Sequence, residues 1–155
     1  MASPRPGRRT AAAFIVFFLL LPLAGGAAAG PAPETVSVDI GSVYASNDGS
    51  SVDAALTRIR GKLRSMFNYS SYRMLDRKRR ALAVGETGEF GLPGRRSMRV
   101  TPLPSPGRKV RLSVQIQEGG RNLLATTVGL SRGGMVLVGG PSHEAGVLIF
   151  IISAD

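Results

Sequence analysis

The densest group of residues that could do chemistry is Ser142, His143 and Glu144. A hydroxyl, an imidazole and a carboxylate are the components of a hydrolytic triad. However, neighbouring side chains of an extended chain point to opposite sides, so Ser142 and His143 are badly placed to exchange a proton. Glu144 also stands where the motif G-x-S-x-G needs its last glycine. We interpret residues 139–146 as a flexible hairpin loop, with a ligand-contacting loop or a small hydrolase as alternatives.

The composition excludes several other kinds of site. The 155 residues include no cysteine, which excludes disulfides, thiolate metal ligands and a cysteine nucleophile. There is one histidine, His143, and Val147 stands where a zinc protease motif would place a second one. No spacing between acidic residues selects a carboxylate pair for glycoside cleavage. We therefore expect no enzyme activity, no metal and no cofactor.

A second group is a basic stretch with aromatic residues beside it. Its members are Tyr69, Tyr72, Arg73, Arg77, Lys78, Arg79 and Arg80. Rings that stack and cations that pair with phosphate are together the means by which proteins bind extended polyanions. The alternative is that residues 77–80 form the solvated tip of a hairpin, where their charge protects a sheet edge from aggregation. The formal net charge of the whole chain, +10, fits either interpretation.

Most of the chain has the sequence pattern of strands. Residues 36–41 and 110–117 alternate apolar and polar positions, as half-buried strands do. Residues 135–138 and 147–152 are continuous apolar runs, typical of central strands covered on both faces. Further strands at 72–75 and 81–84 bracket the basic run. Turn signals every 8–12 residues predict about 7–9 short, mostly antiparallel strands.

One segment has helical periodicity. Apolar residues recur there at steps of three and four, namely Val52, Leu56, Ile59, Leu63 and Met66. At the start of this segment, Ser50 and Asp53 have the spacing of a capping box. The predicted class is α+β, with this amphipathic helix packed on an antiparallel sheet or sandwich, and a mainly-β sandwich is the alternative. A surface helix lying in anionic lipid is a further alternative.

The first 29 residues have the pattern of an export signal. Three arginines precede the apolar stretch 11–23, and small residues continue to Ala29. We place cleavage after Ala29, a linker at residues 30–35 and a single globular domain at 36–155. The alternative is an uncleaved inner-membrane anchor at residues 11–29, although a spanning helix needs about 20 apolar residues. Export also argues against nucleic acid as a partner and favours anionic lipid, lipopolysaccharide or acidic polysaccharide.

Two stretches carry a resemblance. At residues 70–75, and at residues 138–141 together with residues 146–149, the chain resembles small exported bacterial proteins of unknown function, found mainly in delta-type proteobacteria. The resemblance spans residues 36–153 and implies export and one domain, with no assigned catalytic residue. The Gly-Gly-Pro sequence before an apolar terminal strand is also similar to strands of secretin channel subunits, over a few residues that imply no function.

These observations together predict a non-catalytic periplasmic or cell-surface module that binds another envelope protein or envelope component. The expected contact surfaces are the basic stretch and the exposed face of residues 110–117. The alternatives are a peripheral membrane protein that binds anionic lipid or lipopolysaccharide through the basic stretch, and an unrecognised small hydrolase. These predictions do not specify the oligomeric state.

Overall fold

Eight strands form two four-stranded antiparallel sheets in the computed structural model, which describes Gly30 and residues 32–155. The strands are β1 (Thr35–Ser46), β2 (Ser71–Ala83), β3 (Gly88–Leu92), β4 (Arg96–Leu103), β5 (Lys109–Glu118), β6 (Arg121–Ser131), β7 (Gly134–His143) and β8 (Gly146–Ala154). Sheet A has the order β2-β1-β8-β7 and sheet B the order β3-β4-β5-β6. The strand-rich antiparallel sandwich is thus confirmed, and the mainly-β alternative describes it well.

The main core lies between the two sheets. In β5, Val110, Leu112, Val114 and Ile116 are buried, and the residues between them are partly or fully exposed. This alternation is the period of two that places successive side chains on opposite faces of a strand. Phe150 of β8 belongs to the same buried cluster. The core therefore draws on the inner faces of both sheets.

A second core lies on the outer face of sheet A. A 3-10 helix, Ala54–Ile59, continues there into the α-helix α1, Arg60–Met66; we call residues 54–66 the helical segment. Leu56 and Leu63 of this segment are fully buried in one cluster with Val43 of β1 and Ile149 of β8. Strand β8 therefore buries apolar side chains on both faces, as its continuous apolar sequence predicts.

The helical segment differs in detail from its prediction. Asp53, and not Ser50, is the N-cap, and its side chain accepts a hydrogen bond from the backbone N–H of Ala55 at 3.0 Å. Met66 is 55% exposed, so the apolar stripe does not continue to the end of α1. Leu63, one turn earlier in α1, is fully buried, so the stripe ends within the last turn of this helix.

Strand β7 was predicted as central, but it is an edge strand that pairs with β8 alone among the described strands. Its apolar run reflects burial against both cores, since Leu137 belongs to the second cluster while Val136 and Val138 pack on the first. A continuous apolar sequence reports burial on both faces and does not report the number of paired neighbours. The position within a sheet is therefore not determined by this pattern.

We predict that Gly146→Ala destabilises the protein more than Gly129→Ala does. A methyl group at Gly146 would overlap the carbonyl oxygen of Ala45, whereas nothing lies within 4 Å of the corresponding position at Gly129. Overpacking of this kind costs about 1–3 kcal/mol. Gly129→Ala should change the free energy of unfolding by about 1 kcal/mol or less. Urea unfolding of both purified variants measures the difference, and equal changes would contradict the close approach at Gly146.

We also predict that Tyr72→Phe lowers stability. The buried Tyr72 hydroxyl donates to the carbonyl oxygen of Phe67, which follows α1, at 2.6 Å. Without this donor the Phe67 carbonyl oxygen keeps only the backbone N–H of Tyr69, at 3.0 Å, and the lost hydrogen bond should cost about 0.5–1.5 kcal/mol. Tyr69→Phe is the control, since no hydrogen bond joins the Tyr69 hydroxyl to another described residue, and its effect should stay within about 0.5 kcal/mol. Similar unfolding midpoints for the two variants would count against the assigned hydrogen bond.

Candidate functional site

The basic run lies in the middle of a strand. Strand β2 continues through residues 77–80 and pairs with β1 from Ser71 to Ala83, with one register shift at Ser42/Val43. The prediction of a hairpin tip between two short strands is therefore wrong. Backbone hydrogen bonds to β1 do not depend on side-chain type, and at a sheet edge long cationic side chains reach water without breaking the strand.

Strand alternation divides the run into two pairs with different partners. Arg77 and Arg79 lie on the outer face of sheet A, where both bind Asp39 of β1. Lys78 and Arg80 lie on the opposite side, where they bind backbone carbonyl oxygens of β3 in sheet B. Successive residues of a strand point to opposite faces, so four consecutive cations cannot form one continuous surface.

Asp39 is the residue that organises the outer pair. Arg77 Nε lies 2.8 Å from Asp39 Oδ1, and Arg79 Nε lies 3.0 Å from Oδ2. The Asp39 side chain is only 9% exposed, while those of the two arginines are 62% and 68% exposed. The hydrogen bond to Asp39 raises the pKa of the Arg77 guanidinium. One carboxylate thus orients two cations and leaves one positive charge in excess.

The inner pair closes one side of the sandwich. Lys78 Nζ donates to the carbonyl oxygen of Gly91 at 2.5 Å, and Arg80 Nη1 donates to that of Glu89 at 3.0 Å. Lys78 Nζ also lies 2.6 Å from Asp76 Oδ2, and this hydrogen bond lowers the pKa of the Asp76 carboxyl. These contacts join the edge strand β2 of sheet A to the edge strand β3 of sheet B.

The predicted aromatic partners of the basic stretch are not available together. Tyr72 is fully buried in the second cluster, so its ring cannot stack on a ligand from solution. Tyr69 is partly buried against the same cluster. Arg73 is exposed, and its guanidinium carbon lies 5.5 Å from the centre of the Tyr44 ring. The structure therefore separates Arg73 from the four cations of the run.

Most of the predicted loop at residues 139–146 is strand. Ser142 pairs with Val147 and His143 with Gly146, and Glu144 has a positive φ of 49° in the turn between β7 and β8. The loop interpretation is wrong because a register shift between Gly139 and Ser142 lets pairing continue to the tight turn. The centres of the His143 and Tyr44 rings lie 6.0 Å apart, in a T-shaped arrangement with an interplanar angle of 79°.

Arg96 is a largely buried cation that the sequence pattern did not indicate as a site residue. Its side chain is only 11% exposed, and Nε lies 2.8 Å from Glu118 Oε1. Its Nη2 donates to the carbonyl oxygen of Ser142 at 3.2 Å, which links sheet B to β7. Asp39 was likewise missed, because it occupies a polar position of an alternating strand. A partly buried charge opposite a cation becomes visible only when the register is known.

Several clefts open on the described surface, including one of about 230 Å³ lined by Asp39, Arg79 and Asp155. A polar cleft of about 540 Å³ is lined by residues that include Tyr44, Asp53, Arg73 and Glu144. A cleft of about 220 Å³ lies between the helical segment and sheet A. Another, of about 320 Å³, lies between β6 and β7. Among the described residues, no three histidine, cysteine, aspartate or glutamate side chains are grouped to hold a metal ion.

The predicted leader, its cleavage after Ala29 and the alternative anchor at residues 11–29 lie outside the described residues. Within Gly30 and residues 32–155, neither helix has the length and apolar character needed to cross a bilayer. Export therefore stays a prediction from the sequence pattern alone.

No protein-family model and no curated protein matches the chain. Among solved structures, the chain is similar to a chain of the cryo-EM structure of the T2SS secretin XcpQ from Pseudomonas aeruginosa, with a TM-score of 0.34 and 11% sequence identity. The match covers 77% of this chain, which spans 56% of the length of the secretin chain. A likeness this distant carries no argument about function.

Proposed function

We propose that the protein is a non-catalytic exported module that binds an extended segment of another envelope protein along the edge strand β6. Export rests on the sequence pattern of residues 1–29. The sandwich has two lateral sides, one where β2 lies beside β3 and one where β6 lies beside β7. The observation that supports the binding mode is the difference between these two sides. One side is closed by cations and hydrogen bonds, and the other presents unpaired backbone and apolar side chains.

On the closed side, Lys78 and Arg80 of β2 occupy carbonyl oxygens of the neighbouring edge strand β3. Lysine and arginine on an edge strand also oppose the approach of a further strand, because pairing would bury their charge. These contacts leave β2 and β3 poorly suited to accept a partner strand. They also reduce the capacity of Lys78 and Arg80 to bind polyanions, because both cations already have partners within the chain.

On the open side, β6 lacks such protection, and the contact of Arg96 with β7 reaches only Ser142, near the end of that strand. No charged residue occurs from Asn122 to Leu130, and none from Met135 to Ser142. Strand β6 pairs with β5 alone among the described strands, so its outer edge presents backbone donors and acceptors to solvent. Such an edge is a template for an added strand, in which main-chain hydrogen bonds supply affinity.

An apolar groove accompanies this edge. The cleft between β6 and β7 is lined by Ile116, Leu123, Leu124, Gly139, Gly140 and Pro141. Leu123 and Leu124 are only half-buried, so a partner that covers them removes apolar surface from water. In β-strand addition, pockets of this kind select alternate side chains of the incoming segment. The fitting partner is therefore an extended segment with apolar residues at alternate positions.

The hydrolase alternative is not supported by the site geometry. Ser142 and His143 are consecutive residues of a paired strand, and such side chains point to opposite faces. The His143 ring packs against the Tyr44 ring in a T-shaped arrangement. We therefore propose a binding function and assign no catalytic group.

Site-specific photocrosslinking in the exporting cell tests this proposal. A photoreactive amino acid at Thr126, an exposed residue of β6, should give an adduct with another protein. The same amino acid at Ser113, which lies on the central strand β5 of the same sheet, is the matched control and should give several-fold less adduct. Thr126→Lys in a chain that carries the photoreactive group at the exposed Thr127 should reduce the adduct, since an edge lysine opposes strand addition.

Three results would contradict strand addition to β6 by another protein. They are equal adduct yields at positions 126 and 113, no adduct at position 126, and an adduct that contains two copies of this chain. Thermal unfolding of each variant verifies that the fold persists. Recovery of the chain from cytosol with its first residues intact would contradict export and leave the binding test unaffected.

A further inference from the structure

We propose that the cleft between the helical segment and the outer face of sheet A binds a small amphiphile with one alkyl chain and an anionic phosphate headgroup. This site is separate from the β6 edge and does not depend on the function proposed for that edge. The cleft joins two features that such a ligand requires, namely an apolar floor and a set of oriented cations at its mouth.

The apolar part of the cleft is formed by three elements. Gly41 of β1, Met74 of β2 and Ile151 of β8 form its floor, and Ile59 of the helical segment forms a wall. The absence of a side chain at Gly41 keeps the floor open, because a Cβ there would reach Met74 at 3.4 Å and Ile151 at 3.6 Å. Flexible methionine side chains suit such a site, since they adapt to ligands of different shape.

Met135 extends the apolar surface of the cleft. It lies at the cleft and is 39% exposed, one of two large apolar side chains exposed among the described residues. A cleft volume of about 220 Å³ suits a short alkyl chain better than a drug-sized ligand, whose pockets run from about 300 Å³ upward. An alkyl chain in the cleft would cover Met135 and remove its surface from water.

The cationic part is held in place by Asp39. This carboxylate receives Nε of Arg77 and Nε of Arg79, and neither guanidinium uses its Nη atoms in a hydrogen bond with another described residue. Two guanidinium groups are thereby fixed side by side with donors to spare. Planar guanidinium groups pair with phosphate through two parallel hydrogen bonds, and fixing them beforehand reduces the entropy lost on binding.

The charge at the mouth selects an anion. Arg58 and Arg77 line the cleft together with Asp39, and Arg79 lies on the other oxygen of that carboxylate. Arg58 and Arg77 are thus the two cations that line the cleft, while Arg79 lines a neighbouring cleft together with Asp155. Two cations against one carboxylate that is already paired favour a phosphate headgroup. A cationic headgroup would lack a free carboxylate, because both oxygens of Asp39 are already paired.

Calorimetric titration with octyl phosphate, below its micelle concentration, tests the proposal. We expect saturable binding with one site per chain. Octanol, which lacks the charge, and inorganic phosphate, which lacks the chain, should each bind at least about tenfold more weakly, because each loses one of the two contacts. Octanol binding as tight as octyl phosphate would exclude the role of the arginines, and equally tight inorganic phosphate would exclude the role of the cleft.

Variants distinguish binding of octyl phosphate at the cleft from its nonspecific attraction to a basic protein. Arg77→Gln should weaken octyl phosphate binding about tenfold, and Arg58→Gln, at an exposed position, should do so without disturbing Asp39. Arg111→Gln on sheet B changes the net charge equally and should have little effect. Gly41→Val fills the cleft floor and should abolish binding of the alkyl chain, with thermal unfolding as the check on folding. Equal weakening by Arg58→Gln and Arg111→Gln, or no octyl phosphate binding, would overturn the proposal.

Discussion

Burial of sheet A on both faces is the constraint on which the rest of the structure depends. Its central strands β1 and β8 place apolar side chains against sheet B on one side and against the helical segment on the other. Neighbouring strands therefore pack so closely that some positions accept only glycine. At Gly140, a Cβ would lie 2.6 Å from the Phe150 ring and 2.9 Å from the carbonyl oxygen of Leu148. Interiors this dense tolerate little added volume.

The same constraint decides where polar groups can be placed. A carboxylate on the buried sheet would be costly alone, and Asp39 is 9% exposed with an arginine on each oxygen. Its partners remain largely in water, so the pairs are screened and orient side chains more than they stabilise the fold. The structure thus uses a charge at a strand centre to position two guanidinium groups on one face.

The two open sides of the sandwich show different solutions to the problem of unpaired edges. Cations from β2 reach across to β3, whereas β6 and β7 carry neutral and apolar residues over an exposed edge and an apolar cleft. An unprotected edge is a hazard for an isolated protein, since it pairs with other chains. Its presence on one side only is the physical basis for the binding that we propose along β6.

The sequence by itself determined the strand-rich antiparallel class, the buried face of β5 and the double burial of β8, because periods of two and continuous apolar runs report local burial. It did not determine the sheet order, the extent of β2 or the contacts of residues 77–80. A charged run between two predicted short strands suggested a hairpin tip, but pairing with β1 continues the strand, and alternation divides the cations between Asp39 and β3. Those partners are distant in the chain, so only the tertiary register brings them together.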